Sequence, residues 1–121
     1  MSVPNRLQRM LASGRKWALI TYNVELPVLP ADIDTDNELG TGLAGVVFTD
    51  GVPKRLLFSK ELASYPYIDA DAIVLHEIVH LVAWKLGKDY HDGTPWFEHE
   101  LQELMLPNQS FHFQNGEVHL F

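Results

Sequence analysis

The run Ile73-Val74-Leu75-His76-Glu77-Ile78-Val79-His80-Leu81-Val82-Ala83-Trp84-Lys85-Leu86 puts apolar side chains on nearly every face of a helix. A helix that is apolar all round is a buried one. Asp69 or Asp71 can cap its start, and Gly87 stops it. His76 and His80 are four residues apart, so they project from one face, close enough for both imidazoles to hold one ion. Glu77 stands beside the first of them, placed to take a proton from a water on that ion without competing as a ligand. Two imidazoles and a carboxylate buried without partners would cost about 1–3 kcal/mol for each unsatisfied group, and a metal removes that cost.

Outward from this helix the chain reads as an α+β domain, a small antiparallel sheet packed on the central helix with a second helix after it. Pro4 to Ser13 has Leu7, Met10 and Leu11 at helical spacing and ends at Gly14, which predicts a short N-terminal helix. Trp17 to Val24 reads as a strand. Pro27 to Thr41, rich in Pro, Asp and Gly, reads as a long acidic surface loop. Leu43 to Thr49 and Lys54 to Lys60 flank Asp50-Gly51, a favoured hairpin turn, and the second of these runs is the expected edge strand. The second helix is expected to start at Thr94-Pro95 and end before Pro107, with a small hairpin around Asn115-Gly116. No repeat or linker divides the 121 residues, so residues 1–121 are taken as one domain.

Composition narrows the chemistry. With no cysteine, thiolate metal sites, disulfides and a cysteine nucleophile are excluded together, and any metal rests on His and carboxylate. The net charge of −7 weighs against tight binding to nucleic-acid phosphates. Arg6, Arg9, Arg15 and Lys16 form a small basic N-terminal patch, which reads as a solvated face. The apolar stretches are too interrupted by Asp71, His76, Glu77 and His80 to cross a bilayer, and the start of the chain has no signal-peptide pattern. A cytoplasmic protein is expected.

A hydrolytic zinc site needs a third protein ligand and an open position. His91 is the leading candidate, since Gly87 lets the chain turn back over the helix. Glu100 on the following helix is its rival, and Glu98 a lesser version of the same idea. His99, His112 and His119 have no comparable placement.

On these residues the stretch from about Gly45 to Leu104 resembles the SprT-like, or Spartan-type, metallopeptidase domain, one of the HExxH zincins. That family joins a strand, here ending Leu56-Leu57-Phe58-Ser59-Lys60, to the His76-Glu77-x-x-His80 helix. A glycine-bearing turn follows, and then a His-Gly-x-x-aromatic segment that carries the third ligand. Here the segment reads His91-Asp92-Gly93-Thr94-Pro95-Trp96-Phe97, with one residue inserted between His and Gly. The resemblance implies an intracellular peptidase holding one Zn2+ per chain on His76, His80 and His91. The expected reaction is hydrolysis of a peptide bond in a protein or peptide substrate, with Glu77 as general base. Nucleic acid would enter only through a DNA-bound substrate or the small basic patch. Two alternatives stay open: a zinc-binding interaction or inhibitor protein on the same fold, and an ImmA-like repressor-cleaving peptidase with a Glu third ligand.

Overall fold

The computed structural model describes residues 3–64 and 70–104. The expected hairpin around Asn115-Gly116, together with His112, His119 and Asp69, lies outside these residues. The architecture is α+β: helices α1 (Asn5–Tyr22), α2 (Lys60–Ser64), α3 (Ala70–Lys85) and α4 (Pro95–Glu103), with a three-stranded sheet of β1 (Ala31–Ile33), β2 (Ala44–Thr49) and β3 (Val52–Phe58). Among the described residues no helix is long and apolar enough to cross a membrane.

The N-terminal helix is longer than its sequence suggests. Gly14 does not end it, and the segment expected to be a strand from Trp17 continues as helix to Tyr22, where Asn23 closes it with φ 57°. Leu7, Leu11, Gly14 and Ala18 make one buried stripe, and α1 packs along α3 on it. At Gly14 the approach is close, since a Cβ there would lie 2.7 Å from Ile78 Cγ1. A glycine that costs about 1 kcal/mol in an isolated helix thus lets two helices meet.

The sheet has the order β1-β3-β2, with β2 antiparallel and β1 parallel to β3. It is therefore mixed, not antiparallel throughout. The parallel strand lies within the stretch expected to be loop, because Ala31 and Ile33 are buried on either side of a half-buried Asp32. Three residues of alternation are too few to stand out among prolines and aspartates. Asp50 and Gly51 make the expected hairpin, both at positive φ (55° and 76°) as a two-residue turn of the primed type requires. Among the described strands β3 is central, so the edge beside α3 belongs to β2 and not to the 54–60 run.

α3 is buried along its length, from Ala70 through Ala83 on all but a few positions. It ends in the glycine-capped motif expected of Gly87: Lys88 N donates to Ala83 O at 2.8 Å and Gly87 N to Trp84 O at 3.1 Å, with Gly87 at φ 74°. Ser59 Oγ accepts the Leu62 N–H at 3.1 Å and starts the short α2. Arg6 donates to the carbonyls of Leu62 and Ala63 at 2.7 and 2.9 Å, so one member of the basic N-terminal group is committed to closing α2. α4 begins at Pro95 as expected. Its Phe97 and Leu101 cover the side of α3 marked by Val79.

Candidate metal centre

α3 presents His76 and His80 one turn apart, with ring centroids 5.0 Å from each other, and only 2% and 7% of these residues is exposed. The loop after α3 brings a third donor. Asp92 Oδ1 lies 3.4 Å from His76 Nε2 and 3.3 Å from His80 Nε2. One ligand atom from each of His76, His80 and Asp92 lies within 4.8 Å of the other two.

Two observations test whether these residues suit a zinc ion. Ligand atoms about 2.0–2.2 Å from a tetrahedral zinc are separated from one another by roughly 3.3–3.5 Å, the spacing seen between Asp92 and both histidines. A direct charge-assisted hydrogen bond would be shorter, at about 2.7–2.9 Å. The second observation is the state of His80. Its Nδ1 lies 2.5 Å from the Tyr90 carbonyl, and a carbonyl only accepts, so Nδ1 carries a proton, and in the neutral ring the lone pair is left on Nε2, facing His76 and Asp92. The donor set of two imidazoles and a carboxylate is one that zinc takes in hydrolytic sites. The residues fit.

Electrostatics follow from this crowding. Burial pushes the Asp92 carboxyl up, but the two imidazoles more than reverse this and hold it well below the usual carboxylate range. Burial by itself would lower His80, and the contact with Asp92, helped by the Glu77 charge, raises it instead. Glu77 is 1% exposed, and its carboxyl is raised, chiefly by burial. Among the described residues Oε1 of Glu77 has no hydrogen-bond partner, and the residue lines a cavity of about 390 Å³ shared with Gly45, Val46 and Phe48 of β2 and with His80, Tyr90, His91 and Asp92. A buried carboxylate oxygen left without a partner calls for an explanation in function or in a group bound beside it.

Of the residues expected to form the site, His76, Glu77 and His80 are brought together. His91 lines the same cleft but is not one of the three grouped donors: its side chain is 71% exposed, and its Nδ1 donates to Asp89 Oδ1 at 2.6 Å. The neighbouring Asp92 occupies the position expected of it. Glu100 is also elsewhere, accepting a hydrogen bond from Tyr22 Oη at 2.6 Å, and Glu98 is not among the three grouped donors. His99 lies on the exposed side of α4, 3.9 Å from Glu103. A signal for Asp92 was present in the sequence. Counted back from the glycine, Asp92-Gly93-Thr94-Pro95-Trp96 matches a ligand-Gly-x-x-aromatic segment with no insertion, Asp standing where His was expected. Gly93 adopts φ 82°, so the turn itself is anchored on the glycine.

Comparison with protein-family models, curated proteins and solved structures gave no match to this chain.

Proposed function

We propose that the chain is a zinc-dependent peptidase of the SprT-like type, with His76, His80 and Asp92 as ligands and Glu77 as general base. The observation that carries this reading is Glu77, buried beside the three converging donors and lining their cleft, with an oxygen that has no partner among the described residues. A structural metal site has no use for such a group, and an inhibitor or adaptor would gain stability by losing it.

His76, His80 and Asp92 would hold the ion. When bound, zinc supplies a Lewis acid that polarises a carbonyl and acidifies water. Glu77, with its carboxyl raised by burial, is suited to take a proton from the attacking water and return it to the leaving amine. Phe97 lies against the face of His80 (ring centroids 4.1 Å apart, 22° between planes) and edge-on to His76, which keeps water from that side of the site. Beside the cleft, β2 is the outer of the described strands, and an extended peptide can pair along an edge strand through its backbone with little demand on side-chain identity. A protein or peptide substrate suits this arrangement.

The test is the Glu77→Gln variant, compared with the parent after zinc loading on an unfolded protein substrate. The variant is expected to bind zinc and to lose hydrolysis by at least about 100-fold, the usual contribution of a general base. Equal cleavage by both proteins would remove Glu77 from the role, and zinc binding without cleavage by either would favour the interaction-protein alternative.

A further inference from the structure

The loop from Gly87 to Thr94 is tied together on its solvent side by residues that do not reach the donor group. Asp89 Oδ1 accepts the backbone N–H of His91 at 3.2 Å and its ring Nδ1–H at 2.6 Å. Thr94, expected only to cap α4, makes no side-chain cap. Its hydroxyl instead lies 3.1 Å from the Asp89 carbonyl and 2.8 Å from that of His91. Positive-φ glycines stand at residues 87 and 93.

Tyr90 and Asp92 alternate with these ties and both reach His80. Tyr90 offers its carbonyl to His80 Nδ1, and Asp92 its carboxylate to His80 Nε2. Both nitrogens of one ring are thus met by alternate residues of one short loop. The Tyr90 ring also stacks on Phe48 of β2, with centroids 3.9 Å apart and 14° between planes. A small shift of the loop would move the ligand and the group that sets the His80 tautomer together.

We infer that Asp89, His91 and Thr94 are positioning residues that lock the 87–94 loop so that the Tyr90 carbonyl and the Asp92 carboxylate reach the two nitrogens of His80 at once, and thereby set metal affinity. His91 in this account is a brace and not a ligand. The inference rests on the metal reading of the site. Because Asp89 and His91 are exposed, their bonds add little to global stability, while groups that orient a ligand typically change metal affinity by about 10–100-fold.

The experiment measures zinc affinity by competition with a chelator for the parent, Asp89→Ala, Thr94→Val and Thr94→Ser. Alongside it, the His80 ring nitrogens of the metal-free proteins are read by NMR, with the pH raised until the ring has lost its second proton. Asp89→Ala and Thr94→Val are expected to bind zinc about tenfold more weakly and to lose the preference for a proton on Nδ1, with metal-free melting temperatures near the parent's. Thr94→Ser keeps the hydroxyl and should behave as the parent. Unchanged affinity with an unmoved His80 proton would overturn the inference, and so would a loss of affinity matched by an equal fall in metal-free melting temperature. If the parent binds no zinc, the metal reading fails, and the His80 resonances still decide whether the loop is locked by these residues.

Discussion

Asp92 and Glu77 are the two side chains on which the site turns, and each makes a separate prediction. Asp92→Ala removes a donor that stands 3.3–3.4 Å from both imidazoles, and is expected to lower zinc affinity by on the order of 100-fold or more, beyond the range of outer-shell changes. His91→Ala should fall within that smaller range, and Glu100→Ala, whose carboxylate is held by Tyr22, should leave zinc binding unchanged. Competitive zinc titration of the three variants ranks them directly. Glu77 makes its prediction through stability. Burial raises its carboxyl in the folded state, so the folded protein binds a proton more readily than the unfolded chain. Stability tied to that proton is present at low pH and is lost as pH rises through the ordinary carboxylate range towards the folded-state value. Metal-free Glu77→Gln has no such group to ionise, so it should be more stable than the parent at neutral pH, with the gap closing in acid. Denaturant melts of both metal-free proteins across this range check the sign.

At the level of elements, the junction of α1 and α3 is a close contact at Gly14. Gly14 meets Ile78, which lies between His76 and His80 in sequence, and a Cβ at position 14 would sit 2.7 Å from Ile78 Cγ1. Gly14→Ala gains about 1 kcal/mol of helix propensity but must displace a buried side chain, a strain of about 1–3 kcal/mol. The expected result is a net loss of up to about 2 kcal/mol, the overpacking strain less the propensity gain. Shortening the partner in the double variant Gly14→Ala/Ile78→Val should not relieve it fully, because Cγ1 and not the outermost methyl is the nearest atom. Ile78→Ala, which removes Cγ1, should make the two changes strongly non-additive. Chemical denaturation of the four proteins of that cycle measures the coupling, and additive effects would mean that the helices do not approach so closely.

For the molecule as a whole, the proposed metal site would link ion and fold. The three donors come from α3 and from the loop that follows it, so an ion held there would bind an arrangement that the unfolded chain lacks. Free zinc at about 100 times its dissociation constant would stabilise the folded state by about 2.7 kcal/mol, which for a domain of this size raises the melting temperature by roughly 10 °C. Scanning calorimetry with zinc and with excess chelator should show that difference, and the difference should grow with zinc concentration. A melting temperature indifferent to zinc would contradict a site built across the loop.

What the sequence determined by itself was local and periodic. Four-residue spacing put His76 and His80 on one helical face, unbroken apolar character buried that helix, and Asp50-Gly51 and Gly87 marked a hairpin and a helix end through backbone conformations that few residue pairs adopt. Each of these rests on neighbours in the chain. Only tertiary structure decided the rest, because there the competing local readings were close in energy. The segment after Gly14 has residues that suit a strand, yet packing of Leu7, Leu11, Gly14 and Ala18 on α3 carries the helix through to Tyr22. Ala31–Ile33 becomes a strand because β3 offers it a parallel partner. The third donor was decided in the same way: His91 and Asp92 are adjacent, and which of them faces α3 depends on the turn at Gly93 and on hydrogen bonds from Asp89 and Thr94 across the loop. A one-residue difference in a loop has no periodicity to reveal it, whereas in space it separates an exposed imidazole from a carboxylate set between two buried histidines.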